Sequence, residues 1–170
     1  MAFDFDPDIV GFAAQPFRFE FTTSDGVRRP HMPDYFLRNA DGCAVVVDVK
    51  PDKLIDAKDR VNFAATAALC RQTGWAYRRL SELPRVLWAN LRWLAGYRHE
   101  RVSDTAVVAR TREVIEHSPG VSLSVLAHQV GEPTLVAPTI FHMLWRHELR
   151  AELSHYGLSR ATSIHPGTFG

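Results

Sequence analysis

Cys43-Ala44-Val45-Val46-Val47-Asp48-Val49-Lys50 is the stretch that decides the fold. A short β-branched run of this kind reads as a central strand, buried on both faces. Pro51 ends it, because proline cannot donate to a strand ladder. Side chains alternate along a strand, so Ala44, Val46, Asp48 and Lys50 share one face and Val45, Val47 and Val49 the other. An acid and an ammonium therefore stand side by side at the end of an otherwise apolar strand. Burying such charges is costly unless they are paired or bound to a metal.

Outward from this strand the pattern is α/β. Upstream, Phe17-Arg18-Phe19-Glu20-Phe21 alternates apolar and polar, as a half-buried strand does. Ser24-Asp25-Gly26 is a hairpin-type turn signal, a second strand is expected over Arg28–Arg38, and Asn39-Ala40-Asp41-Gly42 is a further turn. Downstream, Val61, Ala64, Ala65, Ala68 and Leu69 recur at helical spacing within Asp56–Gln72, and Gly74 is a natural stop. Trp75–Leu80 then reads as a strand. The order β-β-β-α-β implies a mixed sheet with a crossover helix.

From Pro84 the character changes. Helices are expected over Pro84–Tyr97, Asp104–His117, Leu123–Val130 and Pro138–His147, followed by a short strand within Glu148–Leu153. That order matches a winged helix. The boundary is placed near Leu83, giving domains 1–83 and 84–170.

The chemistry concentrates at Pro33-Asp34 and Asp48-Val49-Lys50. An antiparallel neighbour brings Asp34 beside Asp48. Two converging carboxylates repel, and a divalent cation relieves that repulsion. Oxygen ligands with spare water positions suit Mg²⁺ or Mn²⁺. The Lys50 ammonium is placed to serve an attacking water and to stabilise charge on phosphorus. Together these parts form a phosphodiester hydrolase of the PD-(D/E)xK kind. The alternative is a turn residue at Asp34 and an ordinary surface pair at Asp48 and Lys50.

Other polar residues admit two readings each. Arg28, Arg29 and Lys53 are candidate contacts to DNA phosphates, or simply solvated strand-edge charge. His31 is a possible metal ligand or a loop histidine. Gln15-Pro16 either sets the chain direction or joins the site. Trp88, Trp93 and Trp145 are expected in the core rather than as stacking platforms. Residues 84–170 hold nine arginines, no lysine and seven acids, and Pro133–Trp145 is nearly uncharged, so base reading by that helix has little support and protein docking fits at least as well.

Composition sets the outer limits. The 170 residues are 46% hydrophobic with a formal net charge of +1, so strong DNA binding must rest on local patches. Two cysteines, Cys43 and Cys70, give neither a disulfide framework nor a zinc spacing. No signal peptide or membrane-spanning run is visible, and a cytoplasmic setting is expected.

Several ordered segments carry a family resemblance. They are Phe3-Asp4-Phe5-Asp6-Pro7, Gly11-Phe12-Ala13-Ala14-Gln15-Pro16-Phe17, His31-Met32-Pro33-Asp34-Tyr35-Phe36 and Val45-Val46-Val47-Asp48-Val49-Lys50-Pro51. Trp88–Arg98 and Phe141–Leu149 continue the series. Together they resemble TnsA-like heteromeric transposase endonuclease subunits, from about Phe3 to Ile164. The resemblance implies a restriction-endonuclease-like core that nicks double-stranded DNA at transposon 5′ ends. It also implies a DDE-type transposase partner, and a target-selection ATPase is a further candidate. By motif match, Asp34, Asp48 and the Val49 carbonyl would bind metal and Lys50 would serve the attacking water. The family's first acidic ligand is a glutamate on a helix before the segment matching Phe3–Pro7, with no counterpart after Met1. An incomplete site is therefore expected. A catalytically inactive DNA-binding or assembly subunit is the alternative, as is a defence-type restriction nuclease of the same fold.

Overall fold

The computed structural model describes residues 1–22 and 26–167. The chain opens with a short helix, α1 (Ala2–Phe5), and divides into two compact units, residues 8–82 and residues 1–7 with 83–170.

The unit of residues 8–82 is built on a four-stranded mixed sheet. Its strands are β1 (Ile9–Ala14), β4 (Tyr35–Asn39), β5 (Ala44–Val49) and β6 (Ala76–Leu80), in the order β1-β4-β5-β6. β1 pairs antiparallel with β4, β4 antiparallel with β5, and β5 parallel with β6. A parallel pair needs a crossover, and α2 (Ala57–Thr73) supplies it. Asp56 caps α2 in a reciprocal capping box with Asp59, and Gly74 ends it in the left-handed conformation at φ +73°. The valine run behaves as expected: Val45, Val46 and Val47 are at most 1% exposed.

A separate two-stranded ribbon, β2 (Phe19–Thr22) with β3 (Arg28–His31), stands apart from this sheet. Here the structure corrects the expected strand over Arg28–Arg38. Pro33 cannot continue a ladder, and the chain bends at Asp34 before re-entering as β4 in a different sheet. The edge strand β1 was not anticipated. The strand expected from Phe17 begins at Phe19, as β2, and Phe17 stacks instead with Phe36 and Trp75 at centroid distances of 6.0 and 5.9 Å. The expected turn at Ser24-Asp25-Gly26 lies outside the described residues except for Gly26, whose φ of +80° suits a tight turn. The turn at Asn39–Gly42 joins β4 to β5, with Gly42 at φ +84° and its N–H on the Asn39 carbonyl.

The second unit is mainly helical. α3 (Arg85–Leu94), α4 (Thr105–His117), α5 (Leu123–Val130) and α6 (Pro133–Trp145) are joined by a small sheet in the order β7-β9-β8. These strands are β7 (Val121–Ser122), β8 (Leu149–Arg150) and β9 (Ser163–Pro166). Leu94, Ile115, Leu126, Ile140, Met143 and Ile164 form the centre of its core, each fully buried. The last helix starts at Pro133, not near Pro138. Pro133 takes the first helical position, where its missing N–H is harmless, and Glu132 caps the end. Pro138 stays inside the helix at a cost of about 3 kcal/mol, offset by burial of Val136, Ile140, Met143, Leu144 and Trp145. The expected strand within Glu148–Leu153 is limited to Leu149–Arg150, paired with β9. α1 belongs to this unit: Phe5 packs edge-on against Trp145 at 5.2 Å and its carbonyl accepts from His147. Among the described residues no helix is long and apolar enough to cross a membrane.

Candidate active site

The chemistry-bearing residues gather at the C-terminal end of β5. Partners in register share a face of a sheet, so Phe36, Val46 and Tyr77 lie on one side of the main sheet. Asp48 is two residues beyond Val46 and joins them. It is 3% exposed. Its carboxylate accepts from the Tyr77 hydroxyl at 2.8 Å, and His31 Nε2 stands 3.0 Å from both of its oxygens.

His31 reaches Asp48 because of how the ribbon is seated. Phe19 pairs with His31 across the ribbon and their rings meet edge-on at 5.4 Å. Phe19 also stacks on Phe17, which leans on Phe36 and Trp75. This aromatic chain fastens the ribbon's inner face to the sheet and sets His31 over the acid.

Asp34 occupies the bend before β4. Its Oδ2 accepts from the Val49 N–H at 2.7 Å, so the side chain continues the β4–β5 ladder one step past its last backbone pair. The Asp34 carbonyl accepts from the Gln15 N–H, and Gln15 holds the unusual φ of +45°. Asp34 and Asp48 are thus both brought to one strand end, Asp34 at its edge and Asp48 on its face.

Lys50 follows on the Asp48 face. Its ammonium pairs with Asp59 of α2 at 3.1 Å, and its carbonyl accepts from Arg79. The three proposed phosphate contacts fall differently. Arg28 is exposed and paired with Glu20, and Lys53 is exposed and paired with Glu82 at 3.2 Å. Arg29 is half-buried, and its Nε is buried with no hydrogen-bond partner.

The electrostatics follow the geometry. Burial raises the Tyr77 phenol far above its ordinary value, and the hydrogen bond and charge of Asp48 add to the rise. Burial likewise raises the Cys70 thiol, with a smaller push from Asp48. Asp59 is held below its ordinary value, first by the Asp56 N–H and then by Lys50.

Tyr77, Asp59 and the contact of His31 with Asp48 were not found by reading the sequence. The Asp56-x-x-Asp59 spacing signals a helix cap, but its reach to Lys50 depends on where α2 lands. Tyr77 meets Asp48 only through the parallel register of β5 and β6, which has no local signal.

Among the described residues no three of His, Cys, Asp and Glu form a metal cage. The donors at this strand end are two carboxylates and the Val49 backbone. That set fits Mg²⁺, which is commonly held by one or two carboxylates together with substrate phosphates and water.

Residues 6–82 match the family model described as TnsA-like endonuclease N terminal. No curated protein matches the chain.

Proposed function

We propose that the chain is a metal-dependent DNA endonuclease subunit of a heteromeric transposase, on the premise that residues 6–82 match the TnsA-like endonuclease N-terminal family model. One observation carries the reading: the Asp34 carboxylate lies on the Val49 amide, between Asp48 and Lys50 in sequence. Two acids and an ammonium thereby share one strand end within the family-matched segment.

Asp34 and Asp48 would hold a divalent cation with the Val49 carbonyl, whose chemistry when bound is to polarise a phosphate oxygen and acidify water. His31 and Tyr77 fix the Asp48 carboxylate, so its orientation is set before substrate arrives. Lys50, restrained by Asp59, presents positive charge beside the reacting phosphate. Arg28, Arg29 and Lys53 would meet the DNA backbone. Residues 84–170 would form a second, winged-helix-like domain that docks the DDE-type transposase or a target-selection ATPase. The substrate is double-stranded DNA at the transposon 5′ ends.

A second reading, a non-catalytic assembly subunit, draws on the engagement of both Asp48 oxygens by protein donors. One assay separates the two. Nicking of a transposon-end duplex in Mg²⁺ should require Asp48; equal activity in wild type and Asp48→Ala, or none in either, rejects the endonuclease.

A further inference from the structure

Among the described residues, the ribbon carries an arginine without a counter-ion. Phe19, Phe21, Arg29 and His31 are all half-buried, and Phe21 pairs with Arg29 as Phe19 pairs with His31. These four form the ribbon's inner face, while Glu20, Thr22, Arg28 and Pro30 are exposed on the other. Glu20, the acid of the ribbon strands, is spent on that outer face with Arg18 and Arg28. Among the described residues the Arg29 guanidinium makes no hydrogen bond or ion pair, and its Nε is buried.

Arginine stays charged in proteins, so the half-buried Arg29, with its Nε shut off from water and unpaired, keeps a free positive charge on the ribbon's inner face. Its planar fork fits a tetrahedral oxyanion through two parallel hydrogen bonds. Arg29 is two strand positions from His31 on the same face, a backbone distance of about 6.6 Å. His31 in turn touches Asp48. The spacing is about two nucleotide rises of a B-form strand. We propose that Arg29 is a preformed seat for a backbone phosphate of DNA, close along the strand to the bond addressed by Asp34 and Asp48. The inference rests on the nuclease reading for the identity of the anion.

The test is binding of a fluorescein-labelled duplex of arbitrary sequence to the full chain in EDTA, by anisotropy over a salt series. Arg29→Gln should weaken binding about tenfold and lower the slope of log affinity against log salt by about one. Arg29→Lys should keep the slope while losing affinity, because it retains the charge but not the fork. Arg71→Gln, which removes an exposed charge from α2, should leave both unchanged. Arg29→Gln should also melt no lower than wild type, since it breaks no hydrogen bond or ion pair among the described residues and removes a buried, unpaired Nε. An unchanged slope in Arg29→Gln, an equal drop in Arg71→Gln, or no duplex binding by wild type each overturns the seat. Nicking in Mg²⁺ is read in parallel. An unchanged slope with nicking that depends on Asp48 removes the seat and keeps the nuclease. A lowered slope with no nicking by wild type keeps the seat and removes the nuclease.

Discussion

His31 and Asp48 meet head-on, with the ring nitrogen Nε2 equidistant at 3.0 Å from both carboxylate oxygens. Histidine and acid come from different sheets and are 17 residues apart. The buried carboxylate therefore depends on the ribbon for one of its two side-chain donors. His31→Ala should cost about 1–3 kcal/mol of stability, the penalty for a buried acceptor losing its partner, as measured by urea unfolding. Because His31 acts through Asp48, kcat should fall with KM nearly unchanged, and His31→Gln should recover part of the loss. Full activity in His31→Ala would show that the contact does not position Asp48.

Tyr77 should remain protonated well above the ordinary tyrosine range. Its folded value is raised, so the stabilisation it reports is complete below the ordinary tyrosine range and is lost as pH climbs through the folded value. Phenolate absorbance should show one late component that appears only with alkaline unfolding, and Tyr77→Phe should abolish it. The absence of a late component that Tyr77→Phe removes would contradict the burial of this hydroxyl against Asp48.

Asp59 links the helix cap to Lys50. Its folded value is depressed, so its contribution is present above the ordinary aspartate range and disappears as pH falls through the folded value. Asp59→Asn should flatten the acid limb of the stability–pH curve. An acid limb identical to wild type would show that neither the cap nor the Lys50 pair is retained in solution.

In the helical unit, Asn90 is buried and ties down the segment that follows β8. Its Nδ2 donates to the carbonyls of Leu153 and Tyr156 at 2.8 Å each, and its Oδ1 accepts from the Leu158 N–H at 2.9 Å. Asn90→Ala should cost about 2–4 kcal/mol, three modest net bonds with some backbone groups left unsatisfied. Limited proteolysis should then cut between residues 153 and 158. Resistance equal to wild type would place the ordering of this segment elsewhere.

The sequence made the central strand and α2 legible because their signals are local: a valine run closed by proline, and apolar residues at helical spacing closed by glycine. Asp34, Asp48 and Lys50 could be singled out because charge at the end of a buried strand is unusual. The split of Arg28–Arg38 between two sheets was hidden, since only the tertiary seating of Phe17 and Phe19 shows why the chain turns at Pro33. The contact of His31 with Asp48, and the roles of Tyr77 and Asp59, escaped for the same reason: each contact depends on a register or a helix placement set by distant residues. Pro138 misled because a proline usually marks a helix start, whereas here core burial overrides it.

The most direct measurement is Mn²⁺ binding to the full chain in the presence of duplex DNA, followed by electron paramagnetic resonance. If residues 34 and 48 form one site, wild type binds the ion and Asp34→Asn and Asp48→Asn each lose it, while Asn90→Ala, in the other unit, retains it. Identical Mn²⁺ spectra in wild type and both aspartate variants would contradict a shared cation site at the end of β5.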